Sequence, residues 1–309
     1  VGINMNSNKI NIALCADKNY LEPLETLLKS ISYSNSQVKI YLLHTDISMD
    51  WLERLAKILQ IFDNQLIPIC LRNANLSIRN FSKTLIPNTL PIDIFLKDLP
   101  NTLGYVNELT YARFLIPELI NEDRVLYLDT DIIVNTNLSS FFHQNMKDFP
   151  IAAIADYDLS NENVPHWYVL DIPEGMESFL SYKGGENFKP YFNAGVILWD
   201  IVKCRNENIT HKLLQTALYY NAVIYGDQDI LNFVFFKRWL MLDIRYNVQA
   251  HYNFTFLPLV TESPWIIHYI TDRKPWIPEY KDETIFHPVY HYYKNLTWQS
   301  IQEYCSSKN

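Results

Sequence analysis

The chain has 309 residues, of which 48% are hydrophobic and 19% are charged, and its formal net charge is −8. This composition fits a globular protein whose length allows one large α/β domain and a small appendage. No block of Lys and Arg stands out, which argues against a nucleic acid as the main partner. No apolar run reaches the roughly 18 residues of a membrane-spanning helix. The four cysteines are far apart in the sequence, and no secretory signal is evident, so we expect reduced thiols and a cytoplasmic protein.

The first part of the chain alternates between apolar runs and amphipathic stretches. Residues 9–16, 38–43 and 65–71 are predicted strands, and helices are predicted from Glu22 and over residues 49–62. This β-α-β-α-β order favours a mostly parallel sheet with helices on both faces. In such sheets, ligands bind beyond the carboxyl ends of the strands.

Three polar residues stand at the end of the first predicted strand. Asp17, Asn19 and Tyr20 follow Ala16 directly and lie where a ligand would be held. In the alternative interpretation, Asp17 caps a helix and Tyr20 is a packed ring.

Two acids end the predicted strand of Val125–Leu128. In the sequence Asp129-Thr130-Asp131, a turn at Thr130 would let both carboxylates converge on Mg²⁺ or Mn²⁺. A polar strand end followed by a turn is the simpler alternative.

Several later residues are further candidates. Residues 107–119 are predicted to be a helix, and its Arg113 is either a surface charge or a cation directed at the acids or at a diphosphate. Asn193-Ala194-Gly195 precedes a predicted apolar strand, and Gly195 there indicates a close backbone approach.

Three consecutive polar residues, Asp227-Gln228-Asp229, stand where a helix is predicted to start. They either cap that helix or bind substrate. His268 ends a predicted strand and is a candidate metal ligand, although a structural His is the alternative, and Lys274 could meet phosphate. Residues 72–103 are predicted to be irregular, and residues 159–190 are a predicted loop over the site.

Six motifs, in this order, resemble family 8 of the retaining glycosyltransferases, which includes bacterial lipooligosaccharide galactosyltransferases and glycogenin. They are Ala16-Asp17-Lys18-Asn19-Tyr20, Thr110-Tyr111-Ala112-Arg113, Leu126-Tyr127-Leu128-Asp129-Thr130-Asp131, Phe192-Asn193-Ala194-Gly195, Asp227-Gln228-Asp229-Ile230-Leu231-Asn232 and His268 with Lys274-Pro275-Trp276. The resemblance implies a GT-A fold: a Rossmann-like, mixed but mostly parallel sheet with helices on both faces. The catalytic domain would span residues 9–276, and residues 277–309 would form a small, aromatic-rich helical extension.

The resemblance also implies roles for individual residues. Asp129, Asp131 and His268 would bind Mn²⁺ (or Mg²⁺), which bridges the diphosphate of UDP-glucose or UDP-galactose. The uracil and ribose would be held by Asp17, Asn19 and Tyr20, next to Ala16. Arg113 would contact the donor sugar or phosphate, Lys274 the diphosphate, and Thr130 the bound nucleotide. The transferred sugar would face Asn193, Ala194, Asp227 and Gln228, and the last two are the candidate catalytic residues.

One position departs from the family's pattern. The family often has Gly three residues after the metal-binding His, with its backbone close to phosphate, and Thr271 stands there in this chain. A side chain at that position could change how the C-terminal loop closes over UDP.

The expected acceptor is a hydroxyl of a glycan, glycolipid or glycoprotein, such as a bacterial surface polysaccharide. Contact with the inner face of the membrane is a further expectation, because some relatives dock there through a basic, aromatic tail. Two other functions stay open: a non-catalytic nucleotide-sugar or glycan-binding member, and a metal-dependent nucleotidyltransferase. The latter would normally carry a Gly-rich phosphate loop after the first strand, and Cys15–Tyr20 contains no glycine.

Overall fold

A computed structural model describes residues 9–72, 108–156, 191–219, 225–251 and 262–308. The predicted loop at residues 159–190 lies outside these ranges, as does the predicted irregular connection apart from Arg72.

The described strands form two sheets. They are β1 (Ile10–Ala16), β2 (Val38–His44), β3 (Gln65–Cys70), β4 (Arg124–Leu128), β5 (Ile132–Val134), β6 (Ile151–Ala155), β7 (Phe192–Asp200), β8 (Trp239–Met241), β9 (Val248–Gln249) and β10 (Ile266–His268). The larger sheet has the strand order β3-β2-β1-β4-β7-β6-β8. All of its neighbouring pairs are parallel except those of β7, which runs antiparallel to both β4 and β6.

Helices cover both faces of the larger sheet. The described α-helices are α1 (Leu21–Ser34), α2 (Met49–Gln60), α3 (Ile116–Leu119), α4 (Ser139–Phe142), α5 (Ile201–Asn206), α6 (Ile209–Tyr219), α7 (Asp227–Val234), α8 (His287–Asn295) and α9 (Trp298–Ser307). On one face, Leu28 of α1 and Leu55 of α2 pack against Ile12 and Leu42. On the other face, residues of α3 and α6 pack against Tyr127 and Trp199. The predicted arrangement of a mostly parallel sheet between helical layers is therefore confirmed.

The smaller sheet, in the order β5-β10-β9, was not predicted. Its antiparallel β5–β10 pair places His268 opposite Ile132, so the end of β10 lies beside the Asp129–Asp131 segment. Ile133 and Ile267 of this sheet pack against Tyr290 and Tyr293 of α8. The C-terminal residues are helical, as expected, and they support the sheet that carries His268.

Two local predictions need correction. The segment before β4 is a 3-10 helix at Glu108–Leu115 followed by α3, instead of one continuous helix. Pro117 contributes to the break, because it has no N–H to donate to the Arg113 carbonyl. Asn193 to Gly195 lie inside β7 instead of before a strand. Further along the chain, the short β8 is followed by a 3-10 helix at Ile244–Asn247.

Among the described helices, none combines the length and the apolar character that a membrane crossing requires.

Candidate active site

Asp129, Asp131 and His268 form one cluster at the carboxyl end of β4. Each residue offers one ligand atom, and these atoms lie within 4.8 Å of one another. His268 Nε2 is 3.2 Å from Asp131 Oδ1 and 3.7 Å from Asp129 Oδ2. Neighbouring ligands of an octahedral Mg²⁺-like ion at about 2.1 Å lie about 3 Å apart, so the three atoms suit one such ion. The two carboxylates converge with the turn at Thr130, as the sequence predicts.

The remaining oxygens of the two carboxylates face cations. Lys274 Nζ lies 2.6 Å from Asp131 Oδ2, and Arg113 Nη2 lies 3.0 Å from Asp129 Oδ1. Burial would raise the pKa of Asp131, but Lys274 and His268 hold that pKa well below its usual value. One oxygen of each carboxylate is thus neutralised by the protein, and the other is directed at His268. A donor set of two carboxylate oxygens and one imidazole nitrogen fits a divalent cation.

Gly195 allows this cluster to be compact. A Cβ added at this residue would collide with Cε1 of His268 and would lie 2.9 Å from Asp129 Oδ2. The Gly195 carbonyl also accepts a hydrogen bond of 2.8 Å from the backbone N–H of Asp129. The close backbone approach that we predicted at Gly195 is confirmed, and the partners are His268 and Asp129.

Arg113 is buried, so the surface-charge interpretation is wrong. Its guanidinium lies between Asp129 and Asp227, with Nε 2.9 Å from Asp227 Oδ2. Its N–H groups donate to the carbonyls of Ala194 and Thr110 at 2.6 and 3.0 Å. Burial would lower the pKa of Arg113, but the two carboxylates together hold it above its usual value. Arg113 therefore joins the acids of β4 to the start of α7.

Asp227 is the first residue of α7, and its two carboxylate oxygens differ in their hydrogen bonding. Its Oδ1 accepts a hydrogen bond of 2.8 Å from Thr110 Oγ1. Its Oδ2 lies near Arg113 Nε, but that N–H donates to the Thr110 carbonyl, and Oδ2 accepts no hydrogen bond from any described residue. Burial raises the pKa of Asp227 to about 6, although Arg113 and Thr110 act in the opposite direction.

Gln228 and Asp229 use their side chains differently. Gln228 Oε1 accepts from the Ala194 N–H at 2.9 Å, and its Nε2 donates to Asp156 Oδ2 at 3.3 Å. Asp229 accepts from the Tyr191 hydroxyl at 2.5 Å and from the Tyr225 N–H at 2.9 Å. Gln228 thus lies against β7 beside Asn193 and Ala194, whereas Asp229 anchors the start of α7.

The residues after β1 lie at the same edge of the sheet. Asp17 Oδ1 accepts from the Asn19 N–H at 2.8 Å, so Asp17 caps the 3-10 turn Lys18–Tyr20. The Tyr20 ring packs edge-on against Trp276 with 6.0 Å between ring centroids. The alternative interpretation, in which Asp17 is a cap and Tyr20 is a packed ring, is therefore confirmed. Neither contact prevents these residues from also contacting a ligand.

Thr271 has a backbone conformation that Gly adopts more easily. Its φ is 69°, in the left-handed region, where β-branched residues are rare. It lies between His268 and Lys274, the two residues that face Asp131. The replacement of Gly at this position therefore introduces backbone strain next to the candidate metal cluster.

Two residues that contact the candidate site were not predicted from the sequence. The Tyr127 hydroxyl donates to Asp129 Oδ1 at 2.5 Å, and Asn247 lies buried between Asn193 and His268. Tyr127 could have been found, because it lies two residues before Asp129 on the same face of β4. Asn247 gives no such signal, since its partners are far away in the chain.

Comparison with known proteins decides the family. The profile of Glycosyl transferase family 8 matches residues 11–279. The chain belongs to this family. It is 31% identical to Glycosyltransferase GlyA of Streptococcus pneumoniae serotype 4 over 96% of this chain and 36% of GlyA. The lipopolysaccharide 1,2-glucosyltransferase of Escherichia coli K12 is 26% identical over 96% of this chain and 81% of that protein.

A solved structure of another member has the same fold. The crystal structure of GlyE from S. pneumoniae superposes with a TM-score of 0.70 and 27% identity, covering 98% of this chain and 64% of GlyE. The GT-A fold that we expected from the family 8 resemblance is confirmed. The chain spans about a third of the length of GlyA and less than two thirds of GlyE.

Proposed function

We propose that this chain is the catalytic region of a metal-dependent, retaining hexosyltransferase. It would move glucose or galactose from a UDP-sugar to a hydroxyl of a glycan, glycolipid or glycoprotein acceptor. The observation that carries the proposal is the cluster of Asp129, Asp131 and His268, with Arg113 and Lys274 on its outer side. Membership of family 8 supports a glycosyl transfer reaction at this cluster.

The three clustered side chains would hold Mn²⁺ or Mg²⁺ through Asp129 Oδ2, Asp131 Oδ1 and His268 Nε2. When bound, the ion would neutralise the diphosphate and so make UDP a better leaving group. Lys274 is a buried cation beside the same cluster and would add positive charge next to the diphosphate. Thr130 and Thr271 would line this part of the nucleotide site with their backbones.

The nucleoside would lie at the neighbouring strand end. Asp17, Asn19 and Tyr20 follow β1, which is paired with β4 in parallel, so they share the edge at which Asp129 emerges. They would contact the uracil and ribose, next to Ala16. The Tyr20–Trp276 contact links this nucleoside end to the segment that carries Lys274.

The donor sugar would face the start of α7. Asp227 Oδ2 is a buried acceptor without an aligned donor, which suits a sugar hydroxyl. Asn193 and Ala194 lie on β7 beside Gln228 and complete this wall. Arg113 would act mainly through its charge, because its N–H groups donate to Thr110 and Ala194 and its guanidinium is paired with the two acids.

The side chains favour a same-face reaction over a double displacement. A double displacement needs a free carboxylate as nucleophile, whereas Gln228 is an amide whose oxygen already accepts from Ala194. Asp227 is held by Thr110 and Arg113, which positions its charge to stabilise an oxocarbenium-like sugar. The acceptor hydroxyl would attack on the face from which UDP leaves, with the leaving phosphate as base.

The experiment is UDP release from a panel of UDP-sugars, with Mn²⁺ or with EDTA. We expect release with UDP-glucose or UDP-galactose, loss with EDTA, and a loss of about 100–1,000-fold in Asp131→Ala, in line with a removed charge-stabilising group. The matched control is Asp148→Ala, since Asp148 is a fully exposed acid. UDP binding without release, even with added oligosaccharide acceptors, would contradict the transferase proposal and favour a non-catalytic binding protein.

A further inference from the structure

Asn247 is fully buried and lies between a candidate metal ligand and the sugar wall. Its Nδ2 donates to Asn193 Oδ1 at 2.9 Å, and its Oδ1 lies 3.1 Å from His268 Nδ1. Neither the six motifs nor the proposed reaction uses this residue. It comes from the 3-10 helix Ile244–Asn247, more than fifty residues after Asn193 in the chain.

One backbone group fixes the direction of the hydrogen bonds that link Asn193, Asn247 and His268. The N–H of Gly195 can only donate, and it lies 3.0 Å from Asn193 Oδ1. The Asn193 amide is therefore fixed, with its Nδ2 towards the carboxylate of Asp156 at 3.1 Å. Asn247 must then present Nδ2 to Asn193 Oδ1, which leaves its own Oδ1 for His268. A hydrogen bond to that oxygen requires a proton on His268 Nδ1.

We propose that Asn247 is a positioning residue that keeps the proton of His268 on Nδ1 and so leaves Nε2 for the metal. A proton on Nδ1 frees the lone pair of Nε2, which is the nitrogen that lies 3.2 Å from Asp131 Oδ1. The inference rests on the proposed metal binding. Outer partners of this kind, which orient a metal-binding His, typically change metal affinity by about 10–100-fold when removed.

The hydrogen bonds of Asn247 and Asn193 continue through Asp156 to Gln228. Asp156 Oδ2 accepts from both Asn193 and Gln228. His268, Asn247, Asn193, Asp156 and Gln228 thus form a continuous hydrogen-bonded series through buried or partly buried groups. The two side-chain amides cannot be reversed, because Gly195 N–H would then face Asn193 Nδ2 and Ala194 N–H would face Gln228 Nε2, donor against donor.

Two variants separate positioning from packing. Asn247→Leu removes both bonds of the amide, whereas Asn247→Asp retains an acceptor for His268 Nδ1 and loses the donor to Asn193. We expect both variants to lose stability in urea unfolding. We expect the dissociation constant for Mn²⁺, measured by calorimetry without any sugar nucleotide, to rise about 10–100-fold in Asn247→Leu and to stay within about threefold in Asn247→Asp.

A buried Asn at the opposite edge of the sheet provides the control. Asn64 accepts from the Val38 N–H at 3.0 Å and donates to Ser32 Oγ at 3.3 Å, so Asn64→Leu should lose stability and keep Mn²⁺ affinity. Equal weakening of Mn²⁺ binding in both Asn247 variants, or in neither, would overturn the inference.

A second measurement does not depend on metal binding. In protein labelled with ¹⁵N at histidine and kept metal-free at pH 8.5, a long-range proton–nitrogen spectrum identifies the protonated ring nitrogen. We expect a proton on Nδ1 of His268 in the wild type and a mixture of both tautomers in Asn247→Leu. A wild-type His268 ring without a proton on Nδ1 would refute the proposed role of Asn247. If the wild type failed to bind Mn²⁺, the proposed function would fail instead, and the spectrum would still test Asn247.

Discussion

Aspartates from two parts of the chain meet at the same edge of the sheet, and the protein shifts the pKa values of Asp131 and Asp227 in opposite directions. At the end of β4, Lys274 and His268 hold the pKa of Asp131 well below its usual value. At the start of α7, burial raises the pKa of Asp227 to about 6. Asp131 is paired with Lys274, whereas Asp227 has to share the guanidinium of Arg113 with Asp129. The comparison shows that nearby cations can outweigh burial at one aspartate, whereas burial outweighs the single shared cation at the other.

Removing Arg113, the cation that Asp129 and Asp227 share, should have the largest effect on stability. Arg113→Met leaves the buried Asp227 and the half-buried Asp129 without their common partner, so we expect a loss of about 3–5 kcal/mol in the free energy of unfolding. Urea titration measures it. Arg54→Met is the control, because Arg54 forms an exposed pair with Glu25 that should contribute less than about 1 kcal/mol. Equal losses in both variants would mean that Arg113 does not join the two aspartates.

The pH dependence of stability should identify Asp227 as the acid with the raised pKa. The folded state holds the Asp227 proton more tightly than the unfolded chain, so its contribution is favourable below about pH 4 and is lost as pH rises through about 6. A difference of about two pKa units corresponds to about 3 kcal/mol. In EDTA, we therefore expect Asp227→Asn to gain stability relative to the wild type, by up to that amount, between pH 4 and pH 7. A stability difference that is independent of pH would contradict the raised pKa.

Gly195→Ala sharpens the comparison by disturbing the cluster of Asp129, Asp131 and His268. The added Cβ would collide with the His268 ring, and such overpacking costs about 1–3 kcal/mol. We expect weaker Mn²⁺ binding together with this loss of stability. In Gly226→Ala, by contrast, the added Cβ would approach only Tyr111 Oη, at 3.7 Å, but φ is 54°. That control should lose stability through backbone strain and retain its affinity for Mn²⁺.

Thr271→Gly should have the smallest effect, and it should be favourable. Relief of the left-handed strain, of about 1–3 kcal/mol, exceeds the entropic cost of Gly in the unfolded chain, so we expect a net gain of about 1 kcal/mol. Thermal unfolding measures it. Thr216→Gly within α6 should instead cost about 0.5 kcal/mol. A loss of stability in Thr271→Gly would show that the side chain, through its contact with the Arg273 N–H, outweighs the strain.

The sequence predicts the parts of this molecule that depend on local spacing. The run Val125–Leu128 predicts β4, and the spacing of Asp129 and Asp131 predicts their convergence. The α/β class follows from the alternation of strands and helices over residues 9–71. Asp227 at the start of a helix is likewise a local signal.

The parts that the sequence did not predict depend on pairings between distant residues. No local pattern distinguishes the antiparallel β7 from a parallel strand, or shows that Ile132 pairs with His268 in a second sheet. Arg113 lies on an apolar segment whether it is exposed or buried, and only the structure shows its two acidic partners. The roles that we assign to the candidate residues remain predictions for the experiments above.

The residues of the candidate site are far apart in the chain, and this separation has a consequence for how the site is assembled during synthesis. Because β7 runs antiparallel to β4, its first residues bring Gly195 to the edge where β4 ends. A ribosome adds about 5–20 residues per second, so Asp131 emerges roughly 7 to 27 s before His268 and Lys274. Throughout that interval, the nascent chain holds both acids without the imidazole or the ammonium group. We therefore expect this edge to be completed last, after β10 has docked, and we expect Mn²⁺ to stabilise the finished chain without rescuing a shortened one.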